Sequence, residues 1–210
     1  MVRLASMPPV VDTHTLGPTQ TNCYVVRRDS TADEAIVIDP AYEGVDPGFD
    51  VRAILVTHSH WDHLGGIASL AEASRAPVYM ADREAMVLEA PHTFFPEHPI
   101  RPYTPDIRLR GDETIEVAGH TVEVVDVPGH SPGHIAFAIE GVLFSGDVLF
   151  AGSVGRTDLP FADWDTLVDS IRKLIDRFPP ETVVYPGHGP PTTLGAEHAR
   201  NPFLAELRAS

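Results

Sequence analysis

Short apolar runs separated by polar turns make up the hydrophobic pattern in the first half of the chain. Four of these runs have the length and composition of buried strands, and they span residues 19–26, 35–38, 51–56 and 77–80. Apolar side chains at helical spacing predict a helix over residues 64–75, and Asp82 opens a second helix that extends to about Glu89. This order of strands and helices is typical of an α/β sheet covered by helices.

The second half of the chain continues with strands and one strong helix. The predicted strands span residues 114–117, 121–127, 134–139, 142–145 and 182–185. Residues 163–178 carry one apolar stripe at helical period, with Asp163 as N-cap and Pro179-Pro180 at the end. No linker or strong sequence repeat divides the chain. We therefore expect one domain over residues 1–210, in which two sheets pack on each other with helices outside.

A proline-rich stretch follows the second predicted helix. Residues 91–105 contain five prolines, together with Phe94 and Phe95. Because proline fixes φ and lacks an N–H group, we expect no regular structure here. One interpretation is a surface loop. The other is a lid of about residues 90–108 over the mouth of a pocket, since long loops in compact domains are often functional.

Composition and charge restrict the possible partners. The chain has 210 residues, of which 43% are hydrophobic, as in ordinary globular proteins. Its formal net charge of −15 repels phosphate backbones and anionic lipids, so we expect neither nucleic acid nor a membrane as partner. Cys23 is the single cysteine, and residues 1–11 lack the apolar segment of a signal peptide. We expect a cytoplasmic protein, either a monomer or a homodimer.

Histidine is the unusual residue of this sequence, with 11 copies, several of them clustered. The densest cluster is His58-x-His60-x-Asp62-His63, where an apolar strand is predicted to stop and a helix to start. In an extended segment, residues two apart share a face, so His58 and His60 can reach one metal ion. Asp62 and His63 follow as the chain turns, and they point towards a second ion. The alternative, a solvated polar loop, is disfavoured because such a cluster is rare by composition.

Three more candidate ligands follow predicted strands, namely His130, Asp147 and His188. Residues at strand ends meet at one edge of an α/β scaffold, so we expect these groups to join the first cluster. Imidazole and carboxylate groups without a thiolate suit Zn²⁺ first, and iron or manganese next. Seven ligands are too many for one tetrahedral ion. We therefore expect two divalent ions roughly 3.5–4 Å apart, with Asp147 as the bridging carboxylate.

These motifs resemble those of the metallo-β-lactamase superfamily, whose mark is His-x-His-x-Asp-His followed by a further His, Asp and His. The resemblance covers about residues 16–204 and implies a four-layer αβ/βα sandwich. It implies that one metal ion is held by His58, His60 and His130. It implies that the other ion is held by Asp62, His63 and His188.

Within this superfamily the sequence is similar to short bacterial glyoxalase II, the hydroxyacylglutathione hydrolases. The similarity rests on residues 21–24 (TNCY), 129–134 (GHSPGH) and 155–158 (GRTD). It implies hydrolysis of a small-molecule thioester by a hydroxide that bridges the two metals, with Asp62 and Asp147 as the catalytic carboxylates. Only 22 residues follow His188, where full-length glyoxalase II carries a helical domain that helps to bind glutathione. The acyl group and the thiol carrier therefore stay open.

Residues beside the motifs have supporting or substrate-binding interpretations. We expect Asp39, which ends an early strand, and His134 to orient ligands rather than to bind metal. The candidates for substrate contact are Tyr24, Phe94, Phe95 and Arg156, with packing in the core or a loop, and for Arg156 an ion pair with Asp158, as the alternatives. Cys23 is expected to be a buried small residue rather than a nucleophile. The histidines outside the motifs are expected at the surface, namely His14, His92, His98, His120 and His198.

Two other activities of the superfamily remain open. A persulfide dioxygenase would use a single iron held by His58, His130 and Asp147, with open positions for oxygen. A lactonase would use the same two metals, since esters and thioesters react by the same route. Metal content separates the first alternative from hydrolysis, because two ions favour hydrolysis and one iron favours oxygen chemistry. A binding module derived from the fold would have lost a ligand, and none is missing.

Overall fold

Two six-stranded sheets carry most of the strands in residues 8–208, which are the residues that this computed structural model describes. In chain order the strands are β1 Val10–Leu16, β2 Thr21–Arg27, β3 Glu34–Ile38, β4 Asp50–Val56, β5 Val78–Ala81, β6 Ile107–Leu109, β7 Glu113–Val117, β8 His120–Asp126, β9 Ile135–Ile139, β10 Val142–Gly146, β11 Leu149–Phe150, β12 Ser153–Val154, β13 Val183–Pro186 and β14 Thr192–Thr193. The helices are α1 Trp61–Leu64, α2 Ile67–Ser74, α3 Asp82–Glu89, α4 Pro91–Phe94, α5 Trp164–Arg177 and α6 Leu194–Arg200. Two 3₁₀ turns follow, Pro202–Leu204 and Glu206–Arg208.

The two sheets have the mixed pairing expected of an α/β scaffold. The first has the order β1-β2-β3-β4-β5-β6, antiparallel from β1 to β3 and parallel from β3 to β6. The second has the order β14-β13-β10-β9-β8-β7, in which β10 and β13 are parallel and the other neighbours are antiparallel. β8, β10 and β13 therefore run in one direction, and their carboxyl ends share an edge.

Three buried hydrophobic clusters define the layers. The first lies between the first sheet and its helices, and it includes Val37, Ile67 and Leu88. The second fills the space between the two sheets, and it includes Ile36 of the first sheet and Phe137 of the second. The third lies between the second sheet and the apolar stripe of α5. The layers are thus helix, sheet, sheet and helix, and the predicted four-layer αβ/βα sandwich is confirmed.

Two predictions about the helices were wrong in detail. The helix predicted over residues 64–75 is interrupted between α1 and α2. There the loop at Ala41 and Tyr42 passes so closely that a Cβ on Gly66 would lie 2.2 Å from the carbonyl oxygen of Tyr42. The proline-rich stretch contains one helical turn, α4, because Pro91 occupies the first turn, where its missing N–H group costs nothing. Whether this stretch acts as a lid stays a prediction.

One histidine was misplaced. His120 was expected at the surface, but it is fully buried at the start of β8. It lies at the same face of β8 as Val122 and Val124, which belong to the cluster between the sheets. Among the described helices, none is both long and apolar enough to cross a membrane. Residues 1–7, where the expectation about a signal peptide largely falls, lie outside the described part of the chain.

Candidate metal centre

The candidate ligands meet where strands of both sheets end. His58 follows β4, Asp147 follows β10, and His188 follows β13. His130 comes after β8, in a turn that requires glycine because Gly129 has a φ of 131°. Two backbone hydrogen bonds join the sheets here: Ile135 N–H donates to Thr57 O at 3.0 Å, and Asn22 N–H donates to Gly187 O at 2.8 Å. These bonds hold the ligand-bearing loops of both sheets against each other.

Three ring nitrogens converge in what we call the three-histidine site, formed by His58, His60 and His130. His58 Nε2 lies 3.1 Å from His60 Nδ1, which lies 2.8 Å from His130 Nε2. His130 Nδ1 donates to the carbonyl oxygen of Arg156 at 2.9 Å, so its Nε2 carries a lone pair. His58 Nδ1 lies 3.0 Å from Thr57 Oγ1, whose proton goes to Asp39, so His58 Nε2 also carries a lone pair. Lone pairs that face one another suit a bound cation.

A second group, which we call the mixed site, consists of Asp62, His63 and His188. His188 Nε2 lies 3.3 Å from Asp62 Oδ2, and His63 Nε2 lies 4.0 Å from the same oxygen. Asp147 stands between the two sites. Its Oδ2 is 3.5 Å from His130 Nε2 and 3.4 Å from His188 Nε2, and its Oδ1 is 3.5 Å from His63 Nε2. One carboxylate thus faces ligand atoms of both sites, as a bridging ligand must.

Two buried atoms of the candidate ligands have no hydrogen-bond partner within the described residues, His63 Nε2 and Asp147 Oδ1. His63 Nδ1 donates to Asp39 Oδ2 at 2.9 Å, which leaves Nε2 free to act as a ligand. A buried polar atom without a partner costs about 1–3 kcal/mol. Coordination of a divalent cation satisfies both atoms at once, so the residues present fit a metal centre.

Further hydrogen bonds and one ring contact fix the orientation of the ligand residues. Thr21 Oγ1 donates to Asp62 Oδ2 at 3.0 Å, and His188 Nδ1 lies 3.2 Å from the carbonyl oxygen of Thr19. Asp147 N–H donates to His134 Nε2 at 3.1 Å, and the His134 ring stacks on His58 with centroids 4.6 Å apart. His134 therefore lies behind the ligands, where it fixes the backbone of Asp147.

Comparison with known protein families identifies this arrangement. The family model described as the metallo-beta-lactamase superfamily matches residues 16–188. The chain belongs to the metallo-beta-lactamase superfamily. Family membership and the paired His/Asp sites make it a metal-dependent hydrolase. Its relatives include a protein named probable metallo-hydrolase YqgX from Bacillus subtilis, 33% identical over 90% of this chain and 94% of the relative. Another, named hydroxyacylglutathione hydrolase GloC, from Haemophilus influenzae, is 32% identical over 88% of this chain and 93% of the relative.

Solved structures agree with the fold. The crystal structure of the BLEG-1 B3 metallo-beta-lactamase is 36% identical, with a TM-score of 0.84, over 93% of this chain and all of that one. The protein TTHA1623, solved in a di-iron-bound form, is 40% identical, with a TM-score of 0.73, over 92% of this chain and all of that one. The second structure carries two metal ions, which matches the two ligand groups of this superfamily member.

Protonation differs between the two sites. Burial lowers the pKa of His60 to about 4, and it also lowers the pKa values of His58 and His130, so the three-histidine site is neutral near pH 7. For His188, burial lowers the pKa, but the hydrogen bonds that its ring donates to the Asp147 and Asp62 carboxylates outweigh burial and raise the pKa to about 10. The mixed site therefore holds protons near pH 7 until a cation displaces them.

Two aromatic side chains that the sequence analysis did not consider lie close to the ligands, one in space and the other in the sequence. The His188 side chain is 29% exposed, and the ring of Phe150 in β11 approaches it with centroids 6.1 Å apart. Trp61, inside the first motif, stacks on His98 of the proline-rich stretch with centroids 3.8 Å apart. Phe150 thus borders the ligand His188, whereas the Trp61 ring lies against His98 and the first hydrophobic cluster.

The four candidates for substrate contact occupy different environments. Tyr24 is buried between the sheets and donates to the carbonyl oxygen of Pro186 at 2.5 Å, which is the core-packing alternative. Phe95 packs against the first hydrophobic cluster, whereas Phe94 is 39% exposed. Arg156 forms a two-pronged ion pair with Asp158, both bonds 2.7 Å long, and its carbonyl oxygen supports His130. Arg156 thus borders the metal centre through its backbone.

Proposed function

We propose that this protein hydrolyses a small hydroxyacyl thioester at two divalent metal ions. The observation that carries the proposal is the position of Asp147, whose Oδ2 lies about equally far from His130 of the three-histidine site and His188 of the mixed site. The name of the relative GloC, a hydroxyacylglutathione hydrolase, supports the substrate class. Zinc fits the imidazole and carboxylate ligands best, with iron or manganese next.

The residues of the centre suit this chemistry. Two divalent cations held by these residues would supply an activated water nucleophile at neutral pH and would polarise the carbonyl group of the substrate. Asp147 and Asp62 place negative charge beside the imidazoles, and the neighbouring histidines and hydrogen bonds hold the pKa of both carboxyls low despite their burial. Both aspartates therefore stay ionised and available as ligands. Thr21 orients Asp62, and the His134 ring fixes the backbone of Asp147.

A thioester suits this centre because of its leaving group. A free thiol has a pKa of about 8.5, so a thiolate departs without a strong general acid. An amine leaving group needs a proton, and the sequence motifs supply metal ligands rather than a general acid. The Phe150 ring beside His188 offers apolar surface to an acyl group or its carrier.

The presence of a second ligand group favours hydrolysis over a dioxygenase reaction. A mononuclear iron site would need only His58, His130 and Asp147. Here Asp62, His63 and His188 also place their ligand atoms within 4.8 Å of one another, which suffices for a second ion. A single iron held by His58, His130 and Asp147 would leave this group without a metal ion.

The test is hydrolysis of S-lactoylglutathione by the zinc-loaded protein, measured as release of free thiol. We expect turnover that a chelator abolishes and added zinc restores. His58→Ala should abolish turnover without unfolding the protein, whereas His14→Ala, an exposed histidine in β1, should leave turnover unchanged. A lactone and a β-lactam serve as comparison substrates. Turnover of either one without thioester turnover would contradict the proposed substrate, and oxygen consumption with a persulfide by a one-iron protein would contradict the hydrolase assignment at this centre.

A further inference from the structure

The strongest feature outside the ligands and their direct supports is a buried carboxylate, Glu84. It lies in the first turn of α3, where neighbouring Asp82 and Arg83 are exposed, yet Glu84 is only 2% exposed. Burying a carboxylate without partners costs far more than burying a neutral group. The carboxylate of Glu84 must therefore gain its stabilisation from the hydrogen bonds that it accepts.

Glu84 accepts four hydrogen bonds, two on each oxygen. Oε2 accepts from the backbone N–H of Ser59 at 3.0 Å and from the Ser59 hydroxyl. Oε1 accepts from the Ser131 hydroxyl at 2.8 Å and from the backbone N–H of Gly133 at 2.7 Å. The close packing extends to Gly133, where an added Cβ would lie 2.8 Å from Glu84 Cγ. One side chain thus ties two loops that are distant in the sequence.

These two loops carry every ligand of the three-histidine site. Ser59 stands between His58 and His60, and Ser131 directly follows His130. Nδ1 of His60 lies 3.1 Å from His58 Nε2 and 2.8 Å from His130 Nε2, so the site requires both loops to be close together. The hydrogen bonds of Glu84 to Ser59 and Ser131 fix the distance between these loops. They therefore also fix the positions of the three ligand nitrogens of the three-histidine site.

The mixed site has supports of its own. Asp39 holds His63, Thr21 holds Asp62, and a backbone carbonyl holds His188. None of the four hydrogen bonds of Glu84 reaches these residues. Its influence should therefore fall on one of the two metal ions.

We propose that Glu84 is a positioning residue that preorganises the three-histidine site and sets its metal affinity separately from that of the mixed site. This inference rests on the two-metal centre of the proposed function, but not on the substrate. Partners that orient metal ligands typically contribute ~10–100-fold to metal affinity or activity.

The experiment measures Zn²⁺ affinity by competition with a chelator in two backgrounds. His188→Ala weakens the mixed site, so the remaining tight ion reports on the three-histidine site; His60→Ala gives the converse. Glu84→Gln keeps the shape but turns one acceptor into a donor that faces Ser59 or Gly133. We expect it to weaken zinc binding ~10–100-fold in the His188→Ala background and to leave it unchanged in the His60→Ala background. Glu89→Gln, on the same helix and paired with Arg108 at the surface, is the matched control.

A purely structural role predicts a different result. In that case Glu84→Gln would lower the melting temperature of the metal-free protein and would weaken zinc binding at both sites equally. That result would overturn the proposal. Zinc affinities equal to those of the backgrounds without Glu84→Gln would overturn it too. In the otherwise wild-type protein we also expect kcat to fall with KM nearly unchanged, and excess zinc to restore kcat. If Glu84→Gln does not fold, Ser131→Ala replaces it, because this change removes only one of the four hydrogen bonds. The same result is then expected: weaker zinc binding in the His188→Ala background and unchanged binding in the His60→Ala background. A wild-type protein that binds two zinc ions and cleaves the thioester, with no selective loss in these variants, would refute this inference alone.

Discussion

Replacement of Asp39 by asparagine tests how the protein chooses the ligand atom of His63. Asp39 is 2% exposed, and its Oδ1 accepts from the backbone N–H of Thr57 at 2.8 Å. Its Oδ2 accepts from the Thr57 hydroxyl at 2.7 Å and from His63 Nδ1 at 2.9 Å. Every partner of this carboxylate is thus a donor. An asparagine can accept through only one of its two heavy atoms.

Either orientation of the new amide damages the site. With its nitrogen towards His63, the amide donates to Nδ1 and shifts the imidazole proton to Nε2, which is the atom that faces Asp147. With its oxygen towards His63, the nitrogen opposes the Thr57 N–H group in a buried place. A hydrogen bond to a charged group contributes about 1.5–3 kcal/mol. At about 1.4 kcal/mol per tenfold, this corresponds to a loss of about 10–100-fold in metal affinity.

The assay is chelator competition for the two zinc ions, with Asp39→Asn compared with Asp50→Asn, an exposed change at the start of β4. We expect the larger loss at the mixed site, which contains His63. A smaller loss is expected at the three-histidine site, because Thr57 also contacts His58 Nδ1 at 3.0 Å. Equal affinity in both variants, or a loss confined to the three-histidine site, would show that Asp39 does not select the ligand atom of His63.

Three further predictions concern the same edge of the sheets. Gly187→Ala places a Cβ 2.0 Å from Asp147 Oδ1, so this carboxylate must move, and we expect a fall in kcat of ~100-fold; wild-type kcat would contradict this steric reasoning. Because the pKa of His188 is raised to about 10 and that of His60 is lowered to about 4, zinc must displace a proton at pH 7 from the mixed site but not from the three-histidine site. Zinc binding at the mixed site should therefore weaken as the pH falls below about 10, and its heat should depend on the ionisation enthalpy of the buffer; identical heats in two buffers would argue against it. Cys23 is fully buried, and this burial raises the pKa of its thiol. Iodoacetamide should therefore modify Cys23 only after unfolding, which mass spectrometry would detect. Rapid labelling of the native protein would contradict this prediction.

Much of the fold could be predicted from local hydrophobic pattern, and the exceptions have physical causes. β4 and α5 are strongly apolar on the faces that they bury, so their periodicity is visible in the sequence. β1 was missed because it is an edge strand with no fully buried residue, and its sequence does not distinguish a strand from a loop. α6 was missed because it is a short helix of seven residues that buries only Leu194 and Glu197. Edge elements of this kind depend on tertiary contacts more than on sequence pattern.

The candidate ligands could be predicted because each one follows a strand or stands in a dense cluster. Their supports could not be predicted. Glu84 has the spacing of an exposed helical residue, and its burial depends on serines that lie 25 and 47 positions away. Thr21 likewise reaches Asp62 across 41 positions. Polar residues that serve buried partners look like surface residues in a sequence.

The supports explain why the centre is organised before metal binds. Four ligand histidines have one ring nitrogen directed at an oxygen atom from a different part of the chain: Thr57 Oγ1, Asp39 Oδ2, Arg156 O and Thr19 O. Each of these contacts turns the other nitrogen towards the centre, where it meets Asp147 or another imidazole. The facing lone pairs of the three-histidine site, and the lack of a hydrogen bond at His63 Nε2 and Asp147 Oδ1, are costs that the metal-free fold carries. A bound cation relieves these unfavourable interactions. The destabilisation of the metal-free state therefore increases the affinity for metal.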